Sequence, residues 1–241
     1  SDRGEQERKG YHGIGFKPDA MIPLAKFRPA PGHKRIDMIK MTKELSDKII
    51  RRFIKHYPDV KPDLRYGNLY QLAVAVVLSA QTTDKQVNAV TGELFRAYPD
   101  FKSLAQARLA DVRRIIRSTG FYRNKAKNIL DMARGVMEQF GGMLPDTRAE
   151  LVTLPGIGRK SANVILSMGF GIPALAVDTH IIRIANRLAY ADSRDPLAVE
   201  KELTRFIPER LWTHAHLLLI RHGRATCRAR QPLCGGCPVS G

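Results

Sequence analysis

The sequence of residues 147–178 predicts two helices joined by a tight turn. Such a hairpin restricts the folds that the chain can adopt. Thr147 and Glu150 have the spacing of a capping box, so the first helix should begin there and continue to about residue 154. The next four residues, PGIG at 155–158, break that helix. Two glycines this close let the backbone turn sharply and expose its N–H groups. We therefore expect a helical hairpin with an open turn.

Positive charge surrounds the start of the second hairpin helix, near Arg159 and Lys160. The positive end of the helix dipole should lie beside both cationic side chains and beside the amides exposed at Gly156 and Gly158. Exposed amides at a helix start are a common binding site for phosphate, and phosphate contacts position a protein on nucleic acid. We interpret the hairpin as a DNA-binding element.

The chain carries 40 lysine and arginine residues against 23 aspartate and glutamate residues, a net charge of +17. So strong a bias predicts a polyanionic partner, either nucleic acid or an acidic membrane surface. The membrane is disfavoured, because the longest apolar run, residues 72–78, is too short to span a bilayer and neither end carries a lipidation signal. The N-terminus has no apolar core of a secretory signal, so we expect an intracellular protein, located in the cytoplasm or nucleoid if the source is bacterial.

Helical periodicity runs through most of the sequence. Leu45, Ile49 and Phe53 recur four residues apart, which places them on one helical face. The run LAVAVVL at 72–78 is apolar on all sides and predicts a buried central helix, with Asn68 as its cap. No convincing alternation of polar and apolar residues predicts a strand, so the expected fold class is all-α. Helices are predicted at residues 42–57, 69–80, 85–97, 103–118, 123–140, 179–190, 196–207 and 211–220.

The first 36 residues differ from the rest in composition. Residues 1–36 hold eight basic and four acidic residues, four prolines and five glycines, without apolar periodicity. This composition predicts an irregular basic arm that is partly disordered. A solvated tail without a role is the alternative.

Residues 154–160 (LPGIGRK) and 176–180 (AVDTH) closely resemble the helix-hairpin-helix and the catalytic aspartate of the endonuclease III family of DNA repair glycosylases. The resemblance runs from about Thr42 to the C-terminus, roughly five-sixths of the chain. It implies a six-helix domain over residues 62–171 that carries the hairpin. A second domain would combine residues 37–61 with 172–241, including a cysteine-rich metal loop. The active site would lie in the cleft between them.

Lys160 and Asp178 are the candidate catalytic residues. Lys160 lies in the first turn of a helix, where the dipole opposes a cation, so it is either a phosphate contact or an amine that loses its proton and acts as a nucleophile. Asp178 precedes a predicted helix and is well placed to cap it. The resemblance implies that Lys160 forms a Schiff base and that the Asp178 carboxylate stabilises positive charge on the sugar. Asp178 can cap the helix and stabilise this positive charge at the same time.

Two further residues are candidates for DNA contact by resemblance. Gln81 follows the buried central helix, and the family uses a glutamine here to fill the gap left by an extruded base. Phe121 matches the position of the family's apolar wedge, which is often leucine. The alternative for Phe121 is an ordinary core residue. The histidines at 180, 214 and 216 are interpreted as packing residues, and no role is assigned to Asp84.

The only three cysteines, Cys227, Cys234 and Cys237, are confined to the last fifteen residues. They cannot form a disulfide framework for the chain, and thiolates this close usually bind metal. Their spacing resembles the first three ligands of the family's [4Fe–4S] motif, whose fourth cysteine would fall at position 243. We expect the cluster in the full-length protein. Zinc held by the three cysteines and His222 is the alternative.

The resemblance implies a bifunctional DNA glycosylase and abasic-site lyase that removes oxidised pyrimidines from double-stranded DNA. We expect a monomer that uses no diffusible cofactor. A glycosylase for pyrimidine dimers or mispaired adenine is the alternative among enzymes. A non-catalytic helix-hairpin-helix protein that only binds DNA is the alternative outside them, and the pairing of Lys160 with Asp178 argues against it.

Overall fold

The computed structural model describes residues 41–240, and the predicted basic arm at 1–36 lies outside this range. Over the described residues the chain is helical and has no strand, so the predicted all-α fold class is confirmed. Single 3₁₀ turns occur at Glu209–Leu211 and Cys234–Gly236. The α-helices are α1 (Lys43–His56), α2 (Leu69–Leu78), α3 (Asp84–Ala97), α4 (Phe101–Ala105), α5 (Leu109–Ile115), α6 (Tyr122–Gln139), α7 (Arg148–Leu151), α8 (Arg159–Gly169), α9 (Thr179–Arg187), α10 (Pro196–Phe206) and α11 (Trp212–Ala225).

Side-chain caps begin the helices where the sequence predicts them. The Asn68 Oδ1 accepts the N–H of Gln71 at 2.9 Å and so starts α2. The Thr147 Oγ1 accepts the N–H of Glu150 at 3.3 Å, and its hydroxyl donates to the Glu150 carboxylate at 2.6 Å. Each cap satisfies an N–H group that has no partner within its helix. Both predicted caps are confirmed.

Several predicted helix extents are wrong: α9 ends at Arg187 instead of residue 190, and α11 continues to Ala225 instead of ending at residue 220. Helix α7 ends at Leu151 instead of near residue 154. The predicted helix over 103–118 is two helices, α4 and α5, interrupted at residues 106–108. Both pack on α6, so tertiary contact and not periodicity sets the break. Residues 62–171 hold the helices α2–α8, and the expected six-helix domain over this range stays a prediction.

Buried apolar side chains form two separate clusters. The first gathers side chains of α2–α8, with the fully buried Leu72 near its centre. The second gathers side chains of α1 and α9–α11, including the fully buried Phe53. The domain boundaries expected at residues 61–62 and 171–172 stay a prediction. No helix of residues 41–240 has the length and apolar character needed to cross a bilayer.

An extended segment, residues 174–177, connects the two clusters. Ala174 and Ala176 belong to the first cluster, whereas Leu175 and Val177 belong to the second. Successive side chains of an extended chain point to opposite sides, so this segment contributes to both cores at once. Asp178 follows directly and is thereby held where the two cores meet.

Candidate active site

The hairpin turn is held by one backbone hydrogen bond and two buried anchors. The N–H of Ile157 donates to the carbonyl of Leu154 at 3.1 Å, and both side chains are buried. Gly156 has a φ of +82°, as the third residue of a type II turn requires. Gly156 and Gly158 are exposed, and no backbone acceptor within residues 41–240 pairs with their N–H groups. The turn therefore presents free amides to solvent, as the sequence predicts.

We expect Gly156→Ala to lower the free energy of unfolding by about 2–3 kcal/mol, because its φ is positive and its Cβ would lie 2.9 Å from Val77 Cγ1. Gly158→Ala is the matched control. Its φ is −93° and its Cβ would meet nothing within 4 Å, so we expect a loss below about 1 kcal/mol. Urea unfolding measures both, and equal losses would contradict this account of the turn.

Lys160 and Asp178 line the same cavity. Helices α2 and α8 form one side of it, and α11 with residues 60–64 forms another. The empty space among the lining residues is about 800 Å³, a figure that includes open solvent at the mouth of the cavity. Lys160 is exposed in the first turn of α8, and Asp178 is half-buried at the start of α9. The fold thus brings the Lys160 amine, on a helix of the first cluster, and the Asp178 carboxylate, at the start of a helix of the second, to the same cavity.

Asp178 caps α9, as the sequence predicts. Its Oδ1 accepts the N–H of Ile181 at 2.9 Å. Its other carboxylate oxygen, Oδ2, has no protein donor among the residues that the structure describes. The cap fixes the orientation of the carboxylate while one oxygen stays available to a bound molecule.

His216, interpreted from the sequence as a packing residue, is buried and lines this cavity as well. Its Nδ1 lies 2.8 Å from the carbonyl oxygen of Ala176, two residues before Asp178. Because a carbonyl only accepts, Nδ1 carries the proton and Nε2 is a free acceptor. Burial lowers the pKa of His216 to about 4, so the ring is neutral near pH 7.

The low pKa of His216 predicts a pH-dependent stability. The neutral, buried ring contributes fully to the free energy of unfolding at a pH above the ordinary histidine pKa of 6.5. This contribution is lost as the pH falls towards 4. We expect the wild type to lose about 2–3 kcal/mol more than His216→Gln between pH 7.5 and pH 4.5, measured by urea unfolding. Glutamine can still donate to Ala176 but does not titrate. Parallel pH profiles for the two proteins would contradict the assignment.

Gln81 and Phe121 are at the tips of two adjacent loops, and each has a positive φ, 52° and 57°. A Cβ on Gly120 would lie 3.8 Å from the Gln81 carbonyl oxygen, which shows how closely the loops approach. The Phe121 side chain is 65% exposed, so the alternative of a core residue is wrong. Gln81 is exposed and lines a cleft that shares Asp84 and Arg224 with the cavity.

Comparison with known proteins shows which family has this combination of features. A model of the HhH-GPD superfamily of base excision DNA repair proteins matches residues 74–209, more than half of the chain. The chain belongs to this superfamily.

Individual proteins and solved structures that are similar to this chain support the same family. Endonuclease III of Synechocystis sp. is 44% identical over 199 residues, which cover 82% of this chain and 91% of that protein. Endonuclease III of Bacillus subtilis is 45% identical over 184 residues, which cover 76% and 84%. A solved structure of a trapped endonuclease III–DNA covalent intermediate, an estranged-adenine complex, has a TM-score of 0.79 at 41% identity and covers 83% of this chain and 94% of that one. The expected resemblance to the endonuclease III family is confirmed.

Arg159 has a partner in this HhH-GPD chain that the sequence did not reveal. Its Nε and Nη2 donate to the two carboxylate oxygens of Glu200 on α10, each at 2.9 Å. Glu200 is 8% exposed, whereas the side chain of Arg159 is 44% exposed. The bidentate pair joins the hairpin to the second cluster and leaves other guanidinium N–H groups open to solvent.

A second ion-pair bridge, also absent from the sequence interpretation, lies at the mouth of the cavity. Arg224 on α11 donates from Nη1 to Asp63 at 2.5 Å and to Asp84 at 2.8 Å. Asp84 begins α3, so its position predicts only a favourable contact with the helix dipole. Its partner is 140 residues away, and no local pattern could have identified it. The bridge joins α11 to the start of α3 and to the segment before α2.

The cysteine loop follows α11. The Sγ of Cys227 accepts an N–H from Arg187 at 3.3 Å, and the Sγ of Cys237 lies 3.7 Å from the Nε2 of His222. Burial raises the pKa of the Cys237 thiol, and Cys234 is exposed. Within residues 41–240 no group of three or more His, Cys, Asp or Glu side chains is arranged to hold a metal ion. The three thiols are of the soft donor type that iron–sulfur clusters take, and one of them already accepts an N–H group.

Proposed function

We propose that this HhH-GPD protein is a bifunctional glycosylase and abasic-site lyase that excises oxidised or ring-saturated pyrimidines, such as thymine glycol, from duplex DNA. One observation carries the proposal: Lys160 and Asp178 line one cavity directly beside the open amides of the hairpin. A base in a duplex is out of reach, so the nucleotide must leave the stack and enter a pocket. The related endonuclease III that was trapped covalently on DNA supports a nucleophilic mechanism.

Lys160 acts first as the nucleophile. Its neutral amine attacks the anomeric carbon of the everted nucleoside, the glycosidic C–N bond breaks, and the electron pair leaves with the damaged base. One amine proton passes to the departing base and the other to the ring oxygen as the sugar opens, which leaves a Schiff base between C1′ and Lys160. Removal of a proton from the 2′ carbon then expels the 3′ phosphate, which cuts the strand 3′ to the lesion. Asp178 stabilises the positive charge that develops on the sugar.

Five residues hold the duplex in this proposal. The amides of Gly156 and Gly158 bind a backbone phosphate at the start of α8. Arg159, oriented by Glu200, adds a charged contact through its remaining N–H groups. Gln81 and Phe121 enter the duplex from the adjacent loop tips and occupy the space that the everted nucleotide vacates.

The phosphate contact of Arg159 is testable by salt dependence. We expect Arg159→Gln to weaken binding equally for all sequences and to lower the slope of log K against log salt by about 1, because one phosphate contact is lost. Arg134→Gln is the control, since it removes the same charge from an arginine paired with Asp131 on α6. An unchanged slope in Arg159→Gln would remove this residue from the interface.

In this proposal Cys227, Cys234 and Cys237 would supply three of the four cysteine ligands of a [4Fe–4S] cluster. When bound, the cluster stabilises the loop fold and takes no part in the reaction above. Arg187 supports this role, because it also donates to the carbonyl of Arg228 at 2.8 Å and so ties the loop to α9.

Borohydride trapping tests the proposed function. Wild-type protein is mixed with a duplex that carries one abasic site, and borohydride reduces any Schiff base to a stable adduct. We expect an adduct whose peptide mass locates the link at Lys160. Incision is then compared on duplexes with thymine glycol, a pyrimidine dimer, mispaired adenine or no damage, and we expect cleavage at thymine glycol. Intact binding without an adduct would instead favour a non-catalytic DNA-binding protein.

A further inference from the structure

Lys125 is a lysine buried in the part of the molecule that carries the two loop tips. It lies in the first turn of α6, is 4% exposed, and its N–H donates to the carbonyl of Phe121 at 3.1 Å. Burial lowers the pKa of its ammonium. Its neighbour Lys127 on the same helix is exposed, as lysines usually are.

The ammonium of Lys125 reaches across to the other loop. Its Nζ donates to the Oγ1 of Thr82, the residue after Gln81. The Thr82 hydroxyl in turn donates to the carbonyl of Ala80, the residue before Gln81, at 3.4 Å. A chain of two hydrogen bonds therefore fixes both neighbours of Gln81 from a residue whose own backbone is bonded to Phe121.

Stability alone does not explain a lysine at this position. Burial of a cation is unfavourable unless it is well paired, and Thr82 is the one acceptor recorded for this ammonium within the described chain. A cation in the first turn also opposes the helix dipole. Both loop tips meanwhile hold non-glycine residues at positive φ, a conformation that persists only when the surroundings enforce it. The Lys125 contact supplies such enforcement to both tips.

We propose that Lys125 is a positioning residue that joins the Gln81 loop and the Phe121 loop into one rigid unit, which enters the duplex as a whole. The inference rests on the proposed function of Gln81 and Phe121. It assigns Lys125 no contact with DNA and no part in the chemistry of Lys160. The predicted effect is therefore confined to substrates in which a stacked base has to be displaced.

The test compares abasic-site cleavage in duplex and in single-stranded DNA. Lys125→Met keeps the length of the stem and removes the ammonium, and Thr82→Val removes its acceptor. We expect each variant to cleave the duplex at least about tenfold more slowly, because misplaced groups can lower a rate by up to two orders of magnitude. Cleavage of single-stranded DNA should stay within about twofold of wild type, since no gap has to be filled. Lys127→Met is the matched control and should cleave both normally.

Fluorescence of 2-aminopurine opposite the abasic site gives a second measurement, and both variants should show a smaller increase on binding than wild type. The double variant should be no slower than either single one if the two residues act as one unit. Equal losses on both substrates, or no loss on the duplex, would overturn the inference. Should Lys125→Met not fold, Thr82→Val decides the question alone. A wild type that forms no borohydride adduct would instead refute the proposed function.

Discussion

Replacement of Lys160 by glutamine is expected to abolish the borohydride adduct and to lower the rate of abasic-site cleavage by at least about 10⁴-fold. Removal of a covalent nucleophile typically has an effect of this size, because no other group can form the bond. Glutamine keeps the length and polarity of the side chain, so the fold and the hairpin should persist. Single-turnover cleavage of a labelled abasic duplex measures the rate, and unfolding in urea checks the stability.

The control for Lys160 is Lys61, which lines the same cavity from the segment before α2. Lys61→Gln removes one positive charge from the cavity without removing the proposed nucleophile. We expect its cleavage rate to stay within about tenfold of wild type, an effect of charge alone. A similar loss in both variants would mean that Lys160 acts through its charge, as a phosphate contact would. A trapped adduct in Lys160→Gln would place the nucleophile elsewhere.

Replacement of Asp178 by asparagine is expected to lower the cleavage rate by about 10²–10³-fold and to leave stability nearly unchanged. Asparagine caps a helix as well as aspartate does, so the bond to the Ile181 N–H survives while the negative charge is lost. The expected rate effect is that of removing one electrostatic contact to the transition state. Asp178→Ala removes both functions and should additionally lower the free energy of unfolding by about 1 kcal/mol.

The two Asp178 variants separate a structural role from a chemical one. Single-turnover rates and urea unfolding are measured for both proteins in parallel. If the carboxylate were only a cap, Asp178→Asn would cleave at the wild-type rate and Asp178→Ala would lose stability alone. That result would remove Asp178 from the proposed mechanism.

Much of the secondary structure was predictable because its causes are local. Asn68, Thr147 and Asp178 each accept an N–H three residues ahead, and such contacts follow from spacing alone. The turn at 155–158 was predictable for the same reason, since glycine permits the positive φ that the backbone requires. The interruption at 106–108 was not, because it depends on how α4 and α5 pack against α6.

The residues of the candidate site likewise fall into two groups, those that the sequence predicts and those that only the tertiary structure shows. Residue type and resemblance to the family predict Lys160, Asp178, Gln81 and Phe121 as candidates from the sequence. They could not identify His216, whose ring meets the carbonyl of a residue 40 positions away. The bidentate contact of Arg159 with Glu200 spans 41 positions and was equally hidden.

Local sequence was sufficient for most of the helices and for the hairpin turn, because capping, turn formation and periodicity act over a few residues. The candidate catalytic residues Lys160 and Asp178 were assigned their roles by resemblance to the family. The shared cavity arose only from the packing of two apolar cores against the segment 174–177, which contributes alternate side chains to each. Contacts such as that of Arg224 with Asp63 join residues 161 positions apart. Their existence depends on the relative placement of whole helices, which no short stretch of sequence encodes.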